Sequence, residues 1–393
     1  MDVHQALTLL SGMTAAQFMQ RYWQKKPLLV RGAIPNFTPL LSRNDLFKMA
    51  HSDAVESRLI VKEGQGWHMK NGPFAKRGLP PLKQPNWTLL LQGVDGHSVA
   101  AQQLLQQFRF VPDVLLDDLM ISWAAPGGGV GPHFDSYDVF LLQASGRRRW
   151  KISQQKDLTL QEGMPLKILQ NFVPDEEFVL EAGDMLYLPP RYAHDGIAEA
   201  CAGPDGKAQD CMTYSIGFKA PIGQELAAEL LHRLAEFSED ALDTASADKP
   251  PTMYRDAAQG ATPTPAQLPF SLVTFAQKAV HEVLKNPLAL GCALGEIMTA
   301  IKPNVWFEKN EPELLKARGC ILDARTRMMY DAHHIFMNGE SYRAEGADAV
   351  LMRQFADQRQ LPARVLGKAS SDAMNLLVDW QGAGWIHAVK EIV

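Results

Sequence analysis

The chain lacks the features that mark several large classes of protein. None of its apolar runs approaches the roughly 18 residues that a membrane-spanning helix requires. It has four cysteines, Cys201, Cys211, Cys292 and Cys320, with no CxxC spacing among them. The opening stretch MDVHQALTLLSGM has neither the charged start nor the small-residue cleavage site of a secretion signal. Scattered cysteines without an export signal imply reduced thiols in the cytoplasm. Neither sign of charge dominates: 39 Lys and Arg stand against 44 Asp and Glu, a net charge of -5. A broad nucleic-acid face needs an excess of basic charge, so neither nucleic acid nor membrane is expected as a partner. Internal repeats are absent as well.

What remains is the composition of an average globular protein, 46% hydrophobic and 21% charged over 393 residues, long enough for two or three domains. Three zones follow one another. In residues 1–219, AAQFMQRYWQKKPLLVRG predicts a helix ending near Lys26 and Pro27, then a short strand. From Leu119 the pattern is strand and turn: LMISWAAPGGG, HFDSYDVFLLQ, RRRWKIS, EEFVLEAGDMLYLPP, AHDGIAE and CMTYSIGFKA. Short strands at such spacing predict a β-sandwich or barrel. Residues 220–300 are helical: Leu226, Leu230, Leu231, Leu234 and Phe237 recur at helical spacing, and a second amphipathic helix covers FSLVTFAQKAVHEVLKN. Between them TASADKPPTMYRDAAQGATPTPAQ reads as a loop. Helices of this kind need a partner surface, on the barrel or on a second copy of the chain. Residues 301–393 are α+β: a meander with an Asn-Gly turn at Asn338 and Gly339, then helices, compatible with a small winged-helix-like module.

The stretch PGGGVGPHFDSYDVFLLQ places His133 and Asp135 two residues apart at a strand start, where alternation turns both side chains to one face. A third ligand is supplied by EAGDMLYLPPRYAHDG, in which a strand ended by Pro189 and Pro190 leads to His194 on the following turn. An HxD pair occurs by chance, and a single histidine could be a core residue; it is the conjunction that is specific. Two histidines and one carboxylate form the facial triad of non-haem Fe(II) oxygenases, which leaves three coordination positions open. A 2-oxo acid takes two of them and dioxygen the third. A closed structural zinc site would need a fourth protein ligand, and no cysteine lies in either segment.

In GRRRW, strand alternation puts Arg147 and Arg149 on one face and Arg148 with Trp150 on the other. A dicarboxylate co-substrate needs a cation for its far end, and arginine offers a planar fork that stays charged when buried. Arg148 is the candidate for that inward position; the other two are expected at the surface.

PGGGVGPHFDSYDVFLLQASGRRRW and AGDMLYLPPRYAHDG resemble the JmjC-type, cupin-barrel 2-oxoglutarate oxygenases, and WQKKPLLVRG is similar to their N-terminal segment. DDLMISW, GPFAKRG and YSIGFKAP are similar to segments of the bacterial ribosomal oxygenases, the ribosomal-protein arginine hydroxylases in particular. The resemblance implies an α+β fold: a double-stranded β-helix (jelly-roll, cupin) JmjC barrel with an N-terminal α/β extension over 1–219, a helical dimerisation region over 220–300, and a winged-helix-like domain over 301–393. It implies His133, Asp135 and His194 as the catalytic Fe(II) ligands, with 2-oxoglutarate and dioxygen as co-substrates. Arg148 matches the basic residue, often lysine, that grips the distal carboxylate; Ser122 and Ser215 match co-substrate positions. Tyr137 and the GGGVG loop match the region where the target side chain enters. Ala124 departs from relatives that carry serine there.

The implied activity is hydroxylation of the β-carbon of an arginine in large-subunit ribosomal protein sixteen, by a homodimer. Alternatives are histidine hydroxylation of another ribosomal protein, lysine demethylation, and a non-catalytic metal-binding cupin that acts as a regulator. His333 and His334 are adjacent in a strand, point to opposite faces, and are not expected to share a metal. Trp23, Trp67, Trp87 and Trp123 read as packing residues, with Trp123, next to Ser122, a candidate pocket wall.

Overall fold

A computed structural model describes residues 2–64, 66–75, 77–203, 206–243, 252–257, 259–309 and 315–389. Part of the expected loop between the helices (244–251 and 258) and part of the EKNEPELLKARG stretch (310–314) lie outside them. The chain divides into two compact units, Met1–Ala220 and Pro221–Val393.

The first unit carries, in chain order, α1 (Ala15–Arg21), β1 (Leu28–Val30), α2 (Arg43–Met49), β2 (Ser57–Glu63), β3 (Gly66–Asn71), β4 (Trp87–Leu91) and α3 (Val99–Gln106). Then come β5 (Leu116–Ala124), β6 (Asp138–Ser145), β7 (Arg147–Ser153), β8 (Glu176–Leu180), β9 (Met185–Leu188), β10 (Ala193–Glu199) and β11 (Cys211–Phe218). Eight strands form one antiparallel sheet in the order β1-β9-β6-β11-β5-β4-β2-β3, and β10-β7-β8 form a second. Every residue of β6 is buried because both faces of its sheet are covered. Val139 and Leu141 of β6 pack with Trp150 and Ile152 of β7, Leu180 of β8 and Leu186 and Leu188 of β9, which makes the core between the sheets. Phe140 and Leu142 join Phe18 of α1, Leu46 of α2 and Leu104 of α3 in the larger core on the other face. Each such side chain contributes about 1.5–3 kcal/mol on leaving water.

Helix α1 begins at a capping box: the Thr14 side chain accepts from Gln17 N, and the Gln17 side chain accepts from Thr14 N. It ends at Arg21, well before the expected Lys26. The reason is tertiary. Gln24, in the left-handed region (φ 56°), donates its N–H to Tyr187 Oη at 2.7 Å and its side chain to Asp138 at 3.1 Å. These bonds pull the chain out of the helix. Strand β6 starts at Asp138, so His133 and Asp135 precede it rather than lie in it, and His194 is the second residue of β10 rather than part of a turn.

The second unit carries α4 (Gly223–Asp243), α5 (Phe270–Leu284), α6 (Pro287–Thr299), α7 (Leu315–Arg318), β12 (Cys320–Leu322), β13 (Met328–Tyr330), β14 (His334–Met337) and β15 (Glu340–Arg343). It continues with α8 (Gly346–Gln358), β16 (Gln360–Leu361), α9 (Ala363–Leu366), α10 (Ser371–Gly382) and β17 (Ile386–Ala388). Periodicity did not single out α6. It is launched by Asn286, whose side chain accepts from Leu288 N and Ala289 N, with Pro287 at the first position. The meander β13-β14-β15 turns at Asn338 and Gly339, with φ 51° and 90° as an Asn-Gly hairpin requires. In the order β16-β12-β17, strand β12 completes the sheet of the α8–α10 module. Its core is Leu351, Met352, Phe355, Leu377 and Trp380, with Cys320, Leu322 and Ile386.

Candidate metal centre

Two backbone hydrogen bonds join His133 to His194, from each N to the other's carbonyl, at 2.9 and 2.8 Å. This bridge brings together chain segments separated by most of the barrel. Its effect on the side chains is direct: the imidazole centroids lie 4.2 Å apart. His133 Nδ1 donates to Gly131 O at 2.8 Å and His194 Nδ1 to Tyr192 O at 2.9 Å. With Nδ1 carrying the proton, each ring keeps its Nε2 lone pair for a ligand. Asp135 Oδ2 lies 3.6 Å from His194 Nε2. One donor atom from each of His133, Asp135 and His194 falls within 4.8 Å of the others, the one such cluster among the described residues. His194 is 2% exposed. Burial pushes it down to about 4, with charge on His133 acting in the same direction. It therefore stays neutral near neutral pH, the form that binds a metal.

The glycine-rich turn before His133 is needed for close approach. A Cβ on Gly128 would lie 2.2 Å from Trp87 O, and one on Gly129 2.5 Å from Gly196 O. Gly131, at φ 78°, is covered by Ile168 and the Trp67 ring. The turn thus seats the His133 segment on β4 and β10.

Arg148 projects between the sheets, as the alternation of β7 requires, and is 3% exposed. Its Nη1 donates to Gly196 O at 3.4 Å and its guanidinium lies 5.8 Å from the Trp150 ring centre. Nε and Nη2 are buried without a hydrogen-bond partner among the described residues. An unpaired buried cation is costly, so this one awaits an anion. Arg149 is tied to Glu177 and Glu199 and Arg147 to Glu181, on the outer face as expected.

Ser122 and Ser215 are buried and share the inner face: Ser122 pairs with Thr213 and Ser215 with Met120. Beside them runs a polar row that the sequence reading missed. Ser122 Oγ donates to Thr213 O at 3.3 Å, and Thr213 Oγ1 to Gln143 Oε1 at 2.9 Å. Ala124, further along that face, packs with Ala198 and Cys211. Trp123 is not a pocket wall. It points to the opposite face from Ser122 and packs tilted against Trp87, with centroids 4.6 Å apart, and edge-on against Phe47. Trp67 lies against Gly131, and Trp150 is the tryptophan beside a ligand, its ring centre 5.8 Å from that of His194. His334 bonds to Asp331, and neither it nor His333 belongs to the metal-binding cluster found among the described residues.

Tyr137 hydrogen-bonds to Asp135. Burial, with the charges of Asp135 and Asp118, raises its hydroxyl far above the usual tyrosine range. Asp118 is a further missed residue. A Cβ on Gly217 would meet Asp118 Oδ1 at 3.8 Å and the Tyr137 ring at 4.0 Å, so acid and phenol converge there. The alternation Asp118, Met120, Ser122 in DDLMIS carried that signal.

Comparison with known proteins agrees with this geometry. Residues 103–226 match the JmjC domain model and residues 293–387 the ROXA-like winged helix. Ribosomal protein uL16 3-hydroxylase of Escherichia coli is 38% identical over 212 residues, 53% of each chain, so the match spans about half the length of that relative. The X-ray structure of E. coli ycfD superposes with a TM-score of 0.81 at 26% identity, covering 95% of this chain and 97% of that one. The structure of YcfD, a ribosomal oxygenase, in complex with cobalt and 2-oxoglutarate gives 0.78 at 26% identity over the same shares. Taken with the paired sheets and the two-histidine, one-carboxylate cluster, these matches show that the chain contains a JmjC domain of cupin fold.

Proposed function

We propose that the chain is an Fe(II)- and 2-oxoglutarate-dependent protein hydroxylase that acts on the β-carbon of an arginine in large-subunit ribosomal protein uL16. One observation carries this reading: beside a metal triad whose Nε2 atoms are left free lies a buried guanidinium with two unsatisfied donors, Arg148, which bonds to Gly196 O two residues beyond His194 and shares the Trp150 ring with it. A solved relative holding cobalt with 2-oxoglutarate supports it. His133, Asp135 and His194 hold the iron, Arg148 takes the distal carboxylate of 2-oxoglutarate, and Ser122 and Ser215 line the co-substrate's path. When bound, the iron supplies oxidation of an unactivated C–H bond by dioxygen, coupled to conversion of 2-oxoglutarate to succinate and carbon dioxide. The chain's own residues bind, orient and keep water out. Tyr137 holds the free side of the Asp135 carboxylate and walls the target's entry.

An arginine target is favoured by Asp118, which places an acid beside Tyr137 where a cationic side chain extends past the reacting carbon. The E. coli relative, a 3-hydroxylase of ribosomal protein uL16, supports the same choice. Purified E. coli uL16, incubated with the chain, Fe(II) and 2-oxoglutarate, should gain one oxygen atom on an arginine by tandem mass spectrometry. Oxygen on histidine, loss of a methyl group from lysine, or no succinate at all would each replace this reading with one of its rivals.

The enzyme works as a cytoplasmic homodimer through residues 220–300, with 1–219 as the oxygenase domain and 301–393 as the winged-helix-like domain. Four free cysteines support the compartment. Exposed Leu231, Val280, Leu284 and Leu288, with Phe270 at 85%, support the interface. Nucleic acid is not a partner: α10, SDAMNLLVDWQG, has two aspartates and no basic residue. Light scattering during size exclusion tests the dimer.

A further inference from the structure

Hydroxylation at a β-carbon constrains the target's backbone. That carbon is one bond from Cα, so the flanking peptide carbonyls lie within about 4 Å of the reacting atom. They must enter the mouth of the barrel with the side chain, lose water there, and find donors. Asp118 can only accept in its ionised form, and Tyr137 is committed to Asp135. A donor has to come from elsewhere.

Arg58 meets the requirement. It lies on β2, in register with Leu90 of β4, which is in register with Ser122 of β5, so its side chain shares their inner face. Two strand spacings separate it from Ser122, roughly 10 Å, which keeps it clear of the co-substrate's path. One nitrogen is anchored: Nη2 donates to Gln92 Oε1 at 2.6 Å. Nε is buried with no hydrogen-bond partner among the described residues. Gln92, which Arg58 grips, is followed by Gly93, whose N–H donates to Asp118 Oδ2 at 2.8 Å, so the Arg58 guanidinium is held on the side of the site where Asp118 stands. A buried donor with nothing to bond to is expensive to keep. Gln92 holds the fork in one orientation, which makes the free Nε–H a directed group rather than a mobile one.

We infer that Arg58 is a target-binding residue whose Nε–H donates to a main-chain carbonyl oxygen beside the hydroxylated carbon. The inference rests on the hydroxylase reading above. Asp118 then reads the side chain while Arg58 reads the backbone, which sets the depth at which the β-carbon stops. A misplaced carbon loses rate steeply, so such a bond contributes to selecting which carbon reacts.

The test uses the full chain with Fe(II), 2-oxoglutarate and a synthetic E. coli uL16 peptide spanning the hydroxylated arginine. A matched series replaces single peptide bonds around that arginine by esters, which weakens each carbonyl as an acceptor. Arg58→Met should raise the peptide KM about tenfold to a hundredfold, as loss of a charged hydrogen bond does, with kcat within about twofold. Its KM for 2-oxoglutarate should not move. One ester should raise KM for the wild type and add nothing in Arg58→Met. A peptide KM within twofold of wild type in the variant, or identical ester penalties in both enzymes, overturns the inference while leaving the hydroxylase reading intact. Should Arg58→Met not fold, the wild-type ester series decides, and equal KM at every position overturns it. A wild-type enzyme that hydroxylates no uL16 peptide overturns both.

Discussion

His133 and His194 are bonded backbone to backbone as well as set ring to ring, through the N–H···O pair at 2.9 and 2.8 Å. The strand bridge does not depend on the imidazoles. His133→Ala should therefore keep the fold, with a thermal midpoint near wild type, and lose the metal. Asp135→Ala should behave alike. Succinate formation should fall by more than about a hundredfold in each, beyond the loss typical of second-layer partners. Asp135→Ala protein that still converts 2-oxoglutarate at the wild-type rate would exclude the triad.

Arg148 holds a positive charge in the apolar space between the sheets with two donors unpaired. Arg148→Met removes that burden, so the ligand-free variant should melt at a higher temperature than wild type. The same variant should no longer be stabilised by 2-oxoglutarate, because binding raises the midpoint only where affinity remains. Differential scanning fluorimetry with and without co-substrate reads both effects. A lower midpoint for the ligand-free variant would show that Arg148 is satisfied in some other way.

Gly129 faces backbone rather than a movable side chain: the missing Cβ would sit 2.5 Å from Gly196 O, two residues beyond His194. Gly129→Ala must push β10 or the His133 segment aside. We expect weaker Co(II) binding by titration and a loss of activity. Gly382→Ala, in open space at the end of α10, is the control and should be neutral or slightly stabilising. Unchanged Co(II) affinity in Gly129→Ala would refute the close-approach account.

In the second unit Asp323 is partly buried, which alone would raise it. Hydrogen bonds from His387 at 2.9 Å and from Arg325 at 2.8 Å outweigh burial and hold it well below the usual carboxylate range. Its folded value lies below its unfolded value, so the unfolded chain binds more protons as pH falls. The stability it contributes is complete above the unfolded value, about 3.9, and is lost as pH drops through the folded one. Asp323→Asn should flatten the acid end of the stability–pH curve, measured by urea unfolding at several pH values. A slope identical to wild type below pH of about 4 would rule this out.

The barrel strands from β5 to β11 were legible because turn residues punctuate short apolar runs, and the ligands because three residue types recur in two recognisable frames. Less visible were β2 to β4, with Arg58 and Trp67 on them, since nothing local says that this hairpin extends the main sheet. Asp118 was legible in principle by alternation from Ser122. Trp123 was misread for the opposite reason: adjacency in a strand means opposite faces.

Chemical identity, then, was determined by sequence alone: which side chains could bind a metal, which arginine alternation turns inward, where helices start and hairpins turn. These depend on covalent order and local geometry. Tertiary structure alone decided that α1 stops at Arg21, that His133 pairs with His194, and that Asp118 and Tyr137 converge beside Gly217. Those outcomes rest on contacts between residues far apart in the chain, formed only when two sheets close on a shared core and bring their donors, acceptors and charges within reach.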